Sequence, residues 1–180
     1  LWIDGCQAIE EGTCTVRAED QEHGLAGESN PTIITDATVP YPLLWADPHG
    51  GQLVLNSKIG EFYRYARDVA GIHFVGYQRN ADVISTRDWE VQQEQEVAFH
   101  EPGVFVPIPG FEWSGRTWEG GHHNIYFRRH GQAARRNKAA ETMFQSERVA
   151  AELSHVRDVY DAYRNTDVMI TPHVGGQHSD

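Results

Sequence analysis

The chain predicts an incomplete α/β barrel preceded by a β-rich segment, and three observations carry that expectation. Short apolar runs alternate with amphipathic stretches from about residue 43 onward, in the order strand, helix, strand, helix, strand, strand, helix, strand. Chemistry-bearing residues stand at the ends of those runs, where parallel α/β sheets gather ligands. Residues 1 to about 40 lack this alternation and read as β-prone pieces broken by Gly and Pro.

In the first segment, Thr13 to Glu19 alternates like a half-exposed strand, and Thr32 to Thr35 is a second β-prone run before Pro40 and Pro42. Cys6 and Cys14 are separated by a stretch that a hairpin could fold back, so a disulfide and two unpaired thiols both stay open; no Cys-x-x-Cys spacing marks a zinc site. Segment 1–40 is thus expected to be the tail of a β-rich module and its linker, and 41–180 an α/β domain. With no initiating Met and no basic-then-apolar leader, the natural N-terminus is expected to lie elsewhere.

The α/β part opens with a short apolar strand, Leu43 to Asp47, broken by Pro48 and followed by His49-Gly50-Gly51-Gln52. Ile59, Phe62, Tyr63, Ala66, Val69 and Ala70 recur at helical spacing, with Gly71 as the stop. Ile72 to Tyr77 is the next strand. Ser85-Thr86-Arg87-Asp88 carries the capping-box pattern and starts a polar helix to about His100. Val104 to Glu112 reads as one buried strand, His123 to Arg128 as another, Glu141 to Tyr163 as a long helix, and Asp167 to Thr171 as the last strand. The sequence then stops without a closing helix, hence the expectation of a truncated barrel. An open sheet edge there would favour association with a second copy or a missing segment.

Net charge is −11, from 15 Lys and Arg against 26 Asp and Glu. Such a balance repels a phosphate backbone and disfavours general nucleic-acid binding. No run is long and apolar enough to span a bilayer. The basic stretch from Arg128 to Lys138 reads as a solvated loop, or as an anion-steering rim.

Ten histidines are present, and His49, His122, His123, His173 and His178 stand beside Gly or Pro or at strand ends. Asp47/His49, Glu112, His122/His123 and His173 stand at four strand ends. Imidazoles and a carboxylate suit borderline divalent ions such as Zn, Mn or Fe, which activate water. Because side chains alternate on a strand, only one of His122 and His123 can face the site, and His122 is preferred because His123 shares a face with Ile125 and Phe127. Taken singly, each residue has a structural reading: His49 as a turn residue, Glu112 as a partner of Arg116, His173 as a strand cap. Ser114 and Ser179 lack a nucleophile elbow, and the Gly pairs match neither a phosphate loop nor a dinucleotide fingerprint.

The pattern Leu44-Trp45-Ala46-Asp47-Pro48-His49-Gly50, the stretch Tyr63 to Asp68 with Gly71, Gly110-Phe111-Glu112-Trp113, Gly121 to Phe127 and Pro172-His173 resembles the PHP superfamily, the polymerase and histidinol phosphatase group of metal-dependent phosphoesterases. The resemblance implies a distorted barrel of seven β/α units and a cluster of divalent metal ions that hydrolyses small phosphorylated or other anionic substrates. It implies that His49, Glu112, His122 and His173 are metal ligands, with Glu112, His122 and His173 catalytic. Arg79 and Arg116 are expected to contact the substrate anion. Three departures accompany it: Gly51 stands where the family has its second opening histidine, Arg79-Asn80 where it has Asp-His, and no late Asp-x-His occurs. These favour, as the alternative, a non-catalytic binding or structural module.

Overall fold

The computed structural model describes residues 7–38, 41, 43–51, 58–136 and 153–173. The chain divides into two compact units, 1–43 and 44–180. In the first, strands β1 (Gly12–Cys14) and β4 (Thr32–Ile34) pair antiparallel, and β2 (Arg17–Asp20) pairs antiparallel with β3 (Leu25–Glu28). The β2–β3 turn is closed by Asp20, whose Oδ1 accepts the backbone N–H groups of Glu22 and His23. Cys14 is an exposed free thiol; Cys6 lies outside the described residues.

The second unit holds two three-stranded sheets, and this overturns the barrel. Strands β5 (Ala46–Gly50), β6 (Phe74–Tyr77) and β7 (Val106–Ile108) form a parallel sheet with β6 central. Strands β8 (Gly110–Trp113), β9 (His123–Phe127) and β10 (Val168–Pro172) form an antiparallel sheet with β9 central. The two-element alternation was sound only as far as β7. What reads as one strand from Val104 to Glu112 splits at Pro109, which has no N–H for a ladder. Beyond that break no helix separates β8 from β9, so the chain returns as a hairpin, whereas a parallel crossover needs a dozen or more residues. The result is a mixture of small sheets with three helices, not a (β/α)7 barrel.

Helix α1 (Ile59–Asp68) buries Ile59, Tyr63 and Ala66. Helix α2 (Thr86–Phe99) begins with the full capping box: Asp88 N–H donates to Ser85 Oγ, and Ser85 N–H to the Asp88 carboxylate. Helix α3 is Val156–Ala162 only, shorter than the helix expected from Glu141 to Tyr163. Leu153 to His155 are not helical, and His155 caps α3 by accepting the Arg157 N–H; residues 137–152 lie outside the described set.

Two apolar clusters form the core of this unit. One joins Tyr63 and Ile59 of α1 to Val75, Tyr77 and Phe105; the other joins Trp89 of α2 to Phe111, Trp113, Ile125, Phe127 and Val159. Gln92, almost fully buried, ties the two sheets together: its Nε2 donates to the carbonyls of Tyr77 (3.1 Å) on β6 and Gly110 (2.8 Å) on β8. The basic stretch after β9 is not wholly a solvated loop. Arg136 is buried, and its guanidinium donates to the carbonyls of Ala81 and Ile84, satisfying acceptors that water cannot reach.

Candidate metal centre

Glu112 sits on β8 between Phe111 and Trp113, whose side chains enter the apolar core on the opposite face. Its own carboxylate is 1 % exposed and is met by imidazoles from three other chain segments. His49 Nε2 lies 2.9 Å from Oε2. His122 Nδ1 makes a close hydrogen bond to Oε1, and His173 Nδ1 lies 3.8 Å from the same oxygen. The rings of His49 and His173 stack with centroids 4.4 Å apart. Ligand atoms of His49, Glu112 and His173 all lie within 4.8 Å of one another, close enough to share one ion.

Local sequence explains how each group arrives. On the edge strand β5 the register slips between Asp47 and Gly50, a bulge that accommodates Pro48 and re-aims His49. The bulge is pinned by Tyr126 of β9, whose hydroxyl donates to Pro48 O at 3.1 Å, and by Asp47, whose Oδ1 accepts the His49 N–H. It also requires Gly76: a Cβ there would stand 2.3 Å from Pro48 O. His173 follows the end of β10 and is held by its N–H bond to His122 O at 2.9 Å. The backbone of Glu112 pairs with the end of the parallel sheet, its N–H donating to Arg79 O at 3.0 Å.

Burial alone pushes the Glu112 carboxyl up, but hydrogen bonds from His122 and His49 and the charges of His122 and His173 outweigh it, leaving the group below its ordinary range. The carboxylate is therefore an anion surrounded by imidazoles. His173 Nδ1 is buried without a hydrogen-bond partner. The His49 and His173 imidazoles with the Glu112 carboxylate fit a divalent metal of the Zn, Mn or Fe class.

Among the sequence candidates, His49, Glu112, His122 and His173 come together, and His123 does not. It faces Trp113 and Tyr160, with burial lowering its pKa. Arg79 meets the site through its backbone; its guanidinium hydrogen-bonds the Tyr77 side chain. Arg116 is exposed on the β8–β9 loop, 5.3 Å from the Trp118 ring. Gln52 and His178 lie outside the described set.

Two residues matter that sequence reading discounted. Asn80 is no ligand, but its Nδ2 donates to Ser114 Oγ (3.3 Å) and stands 3.4 Å from His122 Nδ1, the nitrogen that bonds Glu112, so it lies against that imidazole. Gly51 is a requirement rather than a loss. Its φ is +81°, and a Cβ would lie 2.1 Å from the Tyr77 ring, so a histidine cannot stand there while Tyr77 fills that space.

A family model described as a protein of unknown function, DUF3604, matches residues 55–178, and the chain belongs to that family. No curated protein matches the chain. No solved structure matches it either.

Proposed function

We propose that this member of the DUF3604 family is a metal-dependent hydrolase, a phosphoesterase of the PHP kind, acting on small phosphorylated or other anionic substrates. The observation that carries the reading is one buried carboxylate shared by three imidazoles drawn from separate strand ends, with one imidazole nitrogen left unpaired. A purely structural salt-bridge cluster has no need of three histidines on one anion, nor of an orphan nitrogen.

His49, Glu112 and His173 would hold the ion, with His122 as the fourth candidate ligand. A divalent metal there supplies Lewis-acid polarisation of a phosphoryl oxygen and activation of water at neutral pH. The chain's own residues do the positioning. His122 fixes the Glu112 carboxylate, and the Tyr126–Pro48 bond fixes the bulge that presents His49. Arg116, on the loop that joins Glu112 to His122, supplies a cation for the substrate's charge.

The test is hydrolysis of p-nitrophenyl phosphate and its bis ester by the purified chain with Mn or Zn added. Activity that falls at least about a hundredfold in Glu112→Ala supports the reading. A second reading, a metal-binding module without catalysis, is favoured by Gly51 and Asn80, which provide no ligands at two motif positions. Metal bound with no turnover of either ester would select it.

A further inference from the structure

The β8–β9 loop carries an arginine–tryptophan pair that the core does not use. Trp89 and Trp113 are buried, whereas Trp118 is 60 % exposed. It stands on a single 3-10 turn, Thr117–Glu119, and packs against the Arg116 guanidinium. The loop is held firmly. Arg116 N–H donates to Glu119 Oε2 at 2.8 Å, Glu119 N–H to Arg116 O at 2.9 Å, and Gly120 N–H to Thr117 O at 3.2 Å. Gly120, with φ +107°, is pressed on Val156, where a Cβ would meet a methyl at 2.3 Å.

The loop is also tied to the metal centre at both ends. Ser114 begins it and accepts a hydrogen bond from Asn80 Nδ2, which stands 3.4 Å from His122 Nδ1. At its far end Gly121 N–H donates to Arg116 O at 3.0 Å, and the next residue is His122. The backbone carbonyl of Arg116 therefore stands one hydrogen bond and one peptide unit from His122 of the site. A guanidinium parked beside an aromatic ring keeps N–H donors for an anion, and the exposed indole offers a surface for a second ring.

We propose that Arg116 and Trp118 form the recognition rim of this site, selecting substrates in which the anionic group adjoins a flat ring. The inference rests on the reading proposed above: the anion reaches the metal centre and Arg116, while the ring stacks on Trp118. Stacking on an exposed aromatic is sequence-tolerant in nucleic-acid grooves for the same reason, since any flat ring presents a π face.

The test is calorimetric titration of the metal-loaded chain with phenyl phosphate and with methyl phosphate. The wild type is expected to bind phenyl phosphate about tenfold more tightly, within what one stacking contact supplies. Trp118→Ala should abolish that preference while leaving methyl phosphate unchanged, Trp118→Phe should retain most of it, and Arg116→Ala should weaken both esters. Thermal melting would show whether each variant is folded; because both side chains are exposed, the melting temperatures should match. Equal affinity for the two esters, no binding of either, or a preference that survives Trp118→Ala overturns the rim while leaving metal binding intact. Failure of the chain to take up Mn or Zn in the loading step overturns the rim and the metal reading together.

Discussion

Gly51 shows how a single position can mislead a reading by motif. Set against the PHP pattern that the sequence resembles, it looks like a ligand deleted from the site. In the structure its left-handed backbone and the Tyr77 ring leave no room for any Cβ. The substitution is coupled to Tyr77, a residue 26 positions later (77 − 51), and that coupling has no local signature. Gly51→Ala is expected to destabilise the chain by roughly 1–3 kcal/mol through overpacking and backbone strain. A denaturant midpoint unchanged from wild type would show that the Tyr77 side chain simply moves away. Asn80 carries the same lesson: it stands where the resemblance expects a ligand, yet its amide donates to Ser114 Oγ at the start of the β8–β9 loop.

At the scale of elements, the strongest local signals were the most legible. Ser85 to Asp88 announced the start of α2, and Ile59, Tyr63 and Ala66 announced the buried face of α1. The direction of the strands after β7 was not legible, because apolar runs such as Ile125 to Phe127 read alike in parallel and antiparallel sheets. The hairpin was nevertheless foreshadowed by the absence of helix between Trp113 and His123 and by the Gly120–Gly121 turn. α2 also hides a feature that its polar sequence disguised. Glu96 is fully buried one turn after Gln92, bonded to it at 2.8 Å, with His130 Nδ1 at 3.4 Å and the Tyr63 phenol within its field. Burial pushes the Glu96 carboxyl up, and bonds from His130 and Gln92 offset this only in part. An acid with a raised folded-state pKa favours folding below its unfolded value of about 4.3, and the benefit is lost as pH rises through the folded value. Wild type should therefore lose stability relative to Glu96→Gln as pH is raised from about 4 toward neutrality. Melting curves for the two proteins that stay parallel across that range would contradict this.

At the scale of the whole second unit, the candidate centre depends on a seam rather than on a barrel. The parallel sheet contributes His49, the antiparallel sheet contributes Glu112 and His122, and the end of β10 contributes His173. Gln92 bonds both sheets, and Glu112 N–H bonds Arg79 O across them, so the ligand set exists only when the two sheets are docked. This is why residues marked by their strand-end positions in the sequence come together even though the expected architecture was wrong. Strand ends converge in a barrel and also where two small sheets abut. The measurement that bears most directly on the account is isothermal titration of the purified chain with Mn or Zn, alongside Glu112→Gln and His173→Ala. The account predicts saturable binding by wild type, weakened at least about a hundredfold in both variants while each remains folded. Wild type that binds no divalent ion, or variants that bind it as tightly as wild type, would contradict the metal centre.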